Sequence, residues 1–337
     1  MIKTTLNNAE TTNNFINKCV ISDVLKSMRI NGSLLVNEDY VPPWSVAIPH
    51  ADRLRSLLNL ASDVHVVAFH YVKRGFVEII PEVGEPIMIE AGDMAICFGG
   101  VAHHLSQNRD SQNFDKQAIP VESILIGGNN PFAPNEKNKA RSTSVMCGVF
   151  MMQNLNLNPL FSSLPKILHV STTKPGIHHN LTNILSWING EIDQTTQCTY
   201  VIERLLELLC AEVMRTHLDN ATTGSGWFYA VKDPVIGRAV SMIHAQPGDD
   251  WSVNRLADGV AMSPSRFAAR FTAALGDSPM AYVTKWRMNI AGRMLGESHQ
   301  RIEEIATTVG YENVAAFSRT FKRHLGIPPA AWRSRQL

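Results

Sequence analysis

Two groups of residues in this sequence have the types and spacing to do chemistry. The first combines cations with short side chains: Ala315, Ala316, Arg319, Lys322 and Arg323, and, about fifty positions earlier, Ser265, Arg266, Ala269 and Arg270. Arginine can bridge guanine O6 and N7 or hold a phosphate, and short side chains let a helix approach base edges. With Phe317 and Phe321 turned inward, a helix through the later stretch exposes only small residues and cations, and with Phe267 and Phe271 inward the earlier one does the same. A solvated helix face ordinarily mixes both signs of charge. Two matching faces without an acid point instead to a polyanionic partner.

The second group comprises the imidazoles of His70 and His103 and the thiols of Cys97 and Cys147. A redox-sensing thiol is accessible and has a lowered pKa. The neighbours Ile96, Phe98, Val145 and Met146 are apolar, so buried core thiols are the favoured reading and redox sensing the alternative. His103-His104 and His178-His179 diverge in direction and form no ligand motif. No GxSxG, HExxH or Walker pattern occurs.

The elements that must hold the cations form an internal repeat. Val253, Leu256, Ala257 and Val260 recur 49 positions later as Ile302, Ile305, Ala306 and Val309. Phe267, Phe271, Leu275, Gly276, Pro279 and Tyr282 recur 50 positions later as Phe317, Phe321, Leu325, Gly326, Pro329 and Trp332. Each half reads as helix, turn, helix and glycine stop, spanning about 252–274 and 301–324. Ser263 before Pro264, and Asn313, are the expected N-caps of the second helices. The joining segment Met280 to Leu295 is helical by period, and one continuous helix would set the motifs in major-groove segments about 34 Å apart.

The imidazoles and thiols fall in a strand-rich half. Val64 to Tyr71, Phe76 to Ile80, Pro86 to Glu90, Met94 to Phe98, Val121 to Ile126 and Ser144 to Met152 are β-branched or aromatic runs divided by turn chemistry, which predicts an antiparallel barrel or sandwich. Gly127 to Arg141 reads as a mobile loop. Ile177 to Ile188 and Val201 to His217 read as helices, the second with Val201, Leu205, Leu208, Leu209 and Val213 on one face that packs on its own domain or pairs subunits. Asn220 to Gly226 reads as a flexible linker.

A chain of 337 residues, 45% apolar and 18% charged, excludes disorder and staple-dependent small folds. No run approaches the ~18 apolar residues of a membrane span, and Met1 to Asn14 lacks a signal-peptide pattern, so a cytoplasmic protein with no membrane partner is expected. Cys19, Cys97, Cys147, Cys198 and Cys210 are odd in number and scattered, without CxxC spacing, and read as reduced thiols. The net charge of +1 conceals an asymmetry: +5 from Lys232 onward and −4 before it.

These features resemble the AraC/XylS family of bacterial transcriptional regulators over about Val231 to Arg333. The resemblance rests on Ile305-Ala306, Gly310-Tyr311, the run Phe317 to Arg323, Gly326, Pro329 and Arg333, preceded by Ser263, Phe271, Gly276, Pro279, Tyr282, Arg287 and Ala291. Trp332 stands where the family usually has Tyr. The family implies two helix-turn-helix motifs in adjacent major grooves, with Ser265, Arg266, Ala269, Ala315 and Arg319 facing the groove and Lys322 and Arg323 suited to phosphate. The earlier half is similar to the cupin-type sensor domains of such regulators, through Phe69-His70-Tyr71-Val72, Gly75, Ala91-Gly92-Asp93-Met94, Gly99 to His103, Cys147-Gly148 and Leu164-Pro165.

The expected fold is therefore α+β with two domains: a cupin-like β-barrel followed by helices (1–219), a linker (220–231), and an all-α domain with two helix-turn-helix motifs (232–337). The expected protein binds double-stranded DNA as a homodimer, meets RNA polymerase if it activates, needs no cofactor and answers to an unidentified small molecule or stress. Cupin enzymes hold a metal with a close pair of His, a Glu and a third His. His70 and His103, with His65, Glu78 and His104 nearby, lack the HxH pair, and His65 and His70 fall on opposite strand faces. Metal is thus not expected; His70 and His103 become hydrogen-bonded or pocket-lining residues, and a metal-dependent cupin enzyme is the alternative.

Overall fold

The computed structural model describes residues 20, 22–107, 118–125, 128, 130–153, 158–159, 161–172, 179–194, 198–220 and 227–336. It divides into a unit of sheets, Arg29–Gln153 with Leu164–Asn220, and a unit of helices, Met1–Met28 with Asn154–Ser163 and Ala221–Leu337.

In the sheet unit the strands are β1 (Arg29–Tyr40), β2 (Trp44–Ile48), β3 (His65–Arg74), β4 (Phe76–Pro81), β5 (Ile87–Glu90), β6 (Asp93–Cys97), β7 (His103–Gln107), β8 (Ile119–Pro120), β9 (Thr143–Gln153) and β10 (Leu168–Ser171). They form two five-stranded sheets, ordered β1-β9-β3-β6-β10 and β5-β4-β7-β2-β8, and not a single closed barrel. Val66, Ala68, Ala95 and Val149 of the first sheet share a core with Val46, Val77, Ile79 and Leu105 of the second.

The opposite face of the first sheet is buried too. Phe69 and Phe150 stack there with centroids 4.7 Å apart, and Val67, Met94 and Ile96 are fully covered. Burial on both faces is why β3 and β9 read as almost unbroken apolar runs. Beside the strands lie α1 (Ala51–Leu57), α2 (Val121–Leu125), α3 (His179–Ile192) and α4 (Thr199–Asn220). Gly32 of β1 lets α4 approach, since a Cβ there would stand 2.3 Å from Leu206 Cβ.

Three local expectations are corrected. Of the strand expected over Val121 to Ile126, Val121–Leu125 is helical, with Val121 and Ile124, one turn apart, both buried, and Ile126 lies outside the described residues. The loop expected to be mobile is tied to the end of β1 where it is described, with Phe132 O accepting from Val41 N at 2.9 Å and Asn130 Nδ2 donating to Asp39 O at 3.0 Å. The buried stripe of α4 is Ile202, Leu206, Leu209, Cys210, Val213 and Met214, whereas Val201 and Leu208 stay 38% and 47% exposed.

The helical unit contains α5 (Trp227–Lys232), α6 (Pro234–Ala245), α7 (Val253–Gly259), α8 (Pro264–Leu275), α9 (Pro279–Glu297), α10 (Ile302–Thr308), α11 (Val314–Leu325) and α12 (Pro329–Gln336). Residues 221–226 of the expected linker, with His178 and Cys19, lie outside the described residues, while Trp227 and Phe228 are buried in α5. Gly276 and Gly326 close α8 and α11 in the left-handed conformation, φ 78° and 83°. Asn313 caps α11 through its side chain, accepting from Ala315 N and Ala316 N. Ser263 occupies the N-cap of α8, but its hydroxyl makes no cap bond, whereas Ser278 before Pro279 of α9 does, accepting from Ala281 N.

A buried polar chain ties α5, α6 and α9 together. Trp227 Nε1–H donates to Tyr282 Oη at 2.9 Å, and the Tyr282 hydroxyl meets His244 Nε2 at 2.9 Å, while the His244 ring stacks on Trp286 at 3.7 Å. Burial holds the His244 pKa down at about 3. The unfolded chain protonates this group near pH 6.5, so its contribution to stability is complete above that pH and drains away as pH falls from 6.5 towards 3. Between pH 7 and 4.5 the wild-type chain should lose about 2 kcal/mol more stability than His244→Phe in urea titrations followed by tryptophan fluorescence.

Candidate functional site

The first helix-turn-helix is α7 and α8, the second α10 and α11, and their turns are built alike. Ala261 N donates to Asp258 O and Met262 N to Ala257 O, at 3.1 and 3.0 Å; Gly310 N donates to Thr307 O and Tyr311 N to Ala306 O, both at 2.9 Å. Ala261 and Gly310 hold the same left-handed place, at φ 55° and 82°. At Gly310 a side chain is excluded outright, since a Cβ would lie 2.6 Å from Gly248 O and 2.7 Å from Arg287 Nη2.

Below the turns the aromatic repeat closes each motif against the next helix. Phe267, Phe271, Phe317 and Phe321 are fully buried. Tyr282 presents its edge to Phe271 at 5.6 Å and Trp332 to Phe321 at 5.9 Å. Trp332 also donates from Nε1 to Gly292 O at 3.0 Å, a bond that uses the indole in place of the family's tyrosine.

With the phenylalanines inside, Ser263, Ser265, Arg266, Ala269 and Arg270 are exposed on the first motif, and Asn313, Ala315, Arg319, Lys322 and Arg323 on the second, with Ala316 half-buried. Arg270 forms an ion pair with Asp233, whose other carboxylate oxygen caps α6 through Val235 N and Ile236 N. Arg266, Arg319, Lys322 and Arg323 make no ion pair among the described residues.

The motifs are joined by α9, a single helix of 19 residues, and Arg287 on it holds the chain segments at both ends. Its Nε donates to Pro247 O at 2.7 Å, Nη2 to Asp249 O at 2.6 Å and Nη1 to Gly310 O at 3.3 Å. The first two carbonyls belong to the loop that launches α7, the third to the turn of the second motif. This bracing escaped the sequence reading, in which Arg287 was one residue of a family signature.

In the sheet unit, His70 on β3 stands opposite Cys147 on β9 and Ala95 on β6, and Cys97 ends β6 two residues beyond. His103 opens β7 in the other sheet. His70 Nε2 and His103 Nε2 are 2.8 Å apart, His70 Nδ1 and Cys147 Sγ 3.1 Å, His103 Nε2 and Cys97 Sγ 3.8 Å, and His103 Nδ1 lies 3.0 Å from Val101 O. All four side chains are buried. Burial, with the neighbouring His103, holds His70 well below the usual imidazole range, and burial lowers His103 as well. The Cys97 thiol is pushed up to about 12 by burial, and Cys147 is raised by burial and by Cys97. Cys97 and Cys147 lie on the two strands that flank β3, opposite Ala68 and His70, so strand spacing alone sets their Cα atoms about 9.5 Å or more apart, whereas a disulfide needs Cα atoms within about 7 Å. His65, on the opposite face of β3 from His70 as its odd spacing requires, is exposed at the strand's first position, and neither Glu78 nor His104 joins the cluster.

A family model described as Cupin matches residues 20–219, and one described as Helix-turn-helix domain matches 256–335. A putative AraC-like transcription regulator of Streptomyces lividans is 33% identical over 281 residues, covering 80% of this chain and 86% of that protein. The chain belongs to the AraC-like transcription regulators. Another relative, the HTH-type transcriptional regulator AlkR of Acinetobacter baylyi, is 26% identical over 288 residues, 81% of this chain and 89% of that one. Among solved structures, the DNA-binding domain of AdpA in complex with a target DNA is 29% identical, covering 31% of this chain and 92% of that one, with a TM-score of 0.30. Membership makes this AraC-like chain a cupin domain followed by a helix-turn-helix region. Among its described residues no helix is long and apolar enough to cross a membrane.

For the AraC-like helical unit, the expected outcome of Arg287→Lys is a loss of about 2 kcal/mol in urea denaturation, because an ammonium does not reproduce a fork that serves three carbonyls and leaves some of them unpaired.

Proposed function

We propose that this AraC-like regulator reads a specific duplex sequence by laying α8 and α11 in neighbouring major-groove segments, and that its cupin domain answers to a small molecule or stress signal. The carrying observation is the pair of exposed, acid-free faces, with Arg266 on one and Arg319, Lys322 and Arg323 on the other making no ion pair among the described residues. Ser265, Arg266 and Ala269, with Ala315 and Arg319, are assigned to base edges. Lys322 and Arg323 are assigned to phosphates, and Ser263 and Asn313 to the adjoining backbone. Arg270, tied to Asp233, ranks below them and reaches DNA by leaving that pair.

The reading extends to a cytoplasmic, non-enzymatic protein organised as 1–219, 220–231 and 232–337. A homodimer is supported by the apolar side chains Trp187, Tyr200, Val201 and Leu208, which stay exposed on α3 and α4. RNA polymerase is a partner if the regulator activates.

Gel-shift with the chain's own upstream DNA, with specific and random competitors, tests the reading. Retention of a complex only by specific duplex supports it, and absence of any complex at low salt overturns it. Arg319→Ala should cost about 1 to 3 kcal/mol on the specific site and little on random DNA, whereas equal losses on both would reassign Arg319 to phosphate. Lys322→Ala should weaken both and lower the salt-dependence slope by about 1.

A further inference from the structure

We infer that the sheet unit carries a binding site for a thiophilic monovalent cation, Cu(I), held by His70 Nε2, His103 Nε2 and Cys97 Sγ. The inference deepens the sensor reading of the cupin domain by naming a ligand class for it.

Hydrogen bonding fixes where the donor lone pairs point. The Val101 carbonyl only accepts, so His103 Nδ1 carries the proton and Nε2 presents a lone pair to the interior. His70 Nε2, 2.8 Å away, then supplies the proton between them, and its Nδ1 accepts from the Cys147 thiol. One ligand atom each from His70, Cys97 and His103 lies within 4.8 Å of the other two. With metal bonds of about 2.0 Å to nitrogen and 2.3 Å to sulfur, a three-coordinate ion sets nitrogen and sulfur about 3.7 Å apart and two nitrogens about 3.5 Å apart. The Cys97 to His103 distance of 3.8 Å already fits. The imidazoles must separate by roughly 0.7 Å, and a void of about 10 Å³ bordered by Cys97, His103, Ala68 and Leu54 gives the His103 ring room to move.

Charge selects the ion. No carboxylate joins the cluster among the described residues, so Cys97 is its source of negative charge. Cys147 contacts Nδ1 of His70, the far side of the ring from His103, and does not reach the same ion. Cu(I) with the Cys97 thiolate is neutral, whereas Zn(II) would leave a net positive charge among side chains at most 2% exposed. Thiolate and imidazole are also donors that suit Cu(I). On binding, the Cys97 thiol proton leaves to solvent and the His70 proton moves from Nε2 to Nδ1, where it is donated to Cys147 Sγ. Cys147 is thus a positioning residue, and one proton is released per ion.

The test is titration of the reduced full-length chain with Cu(I), under anaerobic conditions, against a chromogenic Cu(I) chelator, with Zn(II) in parallel. The expected result is one Cu(I) per chain, a near-ultraviolet thiolate-to-copper band and release of one proton. Cys97→Ser should abolish the band and weaken binding more than ~100-fold; Cys147→Ser should keep the band with a loss of about 10- to 100-fold; and Cys198→Ser, at an exposed thiol, should change nothing. Substoichiometric uptake, a band retained in Cys97→Ser, or tighter Zn(II) than Cu(I) overturns the site. Should Cys97→Ser not fold, the wild-type proton count decides, because none or two released per Cu(I) contradicts ligation by Cys97 alone. Metal uptake is read without DNA, so failure here leaves the gel-shift result standing, and the reverse also holds.

Discussion

The helical unit depends on how one guanidinium is satisfied. Arg287 is half-buried, and loss of solvent pulls its pKa down while Tyr311, Asp250 and Asp249 push it up. It keeps its charge by bonding to three backbone carbonyls drawn from segments far apart in sequence. Because acceptors and donor fork are both geometrically stiff, the loop before α7 and the turn before α11 are placed relative to α9 within narrow limits. Glycines complete the arrangement: a Cβ at Gly248 would lie 2.5 Å from Thr308 O, so the two segments meet backbone to backbone. The two motifs are therefore fixed to each other by main chain and one cation, independently of which side chains occupy their exposed faces.

The sheet unit solves a different problem, that of polar groups inside an apolar core. His70 and His103 come from different sheets, and a run of bonds from the Cys147 thiol through both imidazoles to the Val101 carbonyl leaves each nitrogen with a partner. Such a chain is costly when broken and stiff when complete, since unpaired polar atoms in a low dielectric are expensive. Burial keeps both rings neutral. A neutral imidazole keeps a lone pair, so a core that suppresses charge also leaves these groups able to act as donors to a cation.

Much of this was legible in the sequence where a pattern repeats or a residue type has one conformational use. The phenylalanines, the closing glycines and the acid-free faces marked both motifs, and Asn313 marked a cap. The β1 strand was hidden because Asn31, Gly32, Asn37, Glu38 and Asp39 look like turn chemistry; pairing with β9 along almost the whole strand overrides that local preference. Val121 to Ile126 read as a strand because six residues are too few to separate the two periods. The pairing of Arg270 with Asp233, and the bond from Cys147 to His70, join residues 37 and 77 positions apart. Periodicity carries no information at that range, and only the tertiary register does.

The internal repeat shows that packing and recognition are written at separate positions. At the offset of 50, Phe267, Phe271, Gly276 and Pro279 find the same residue types in Phe317, Phe321, Gly326 and Pro329, because each fills an equivalent place in the fold. The exposed positions do not match: Arg266 corresponds to Ala316, Ala269 to Arg319, and Arg270 to Thr320. Arg266 sits about one turn before the place that Arg319 takes on the equivalent helix, and Lys322 and Arg323 have Thr272 and Ala273 as their counterparts. Helices of the same frame with cations at different places do not make the same set of base contacts, since each bidentate contact requires an arginine over one particular base edge. On the proposed reading, the two groove segments therefore differ in sequence, and a site of this kind has direction: a chain bound to it in reverse would set Arg319 over the bases suited to Arg266, with the guanidinium a turn away from its partner.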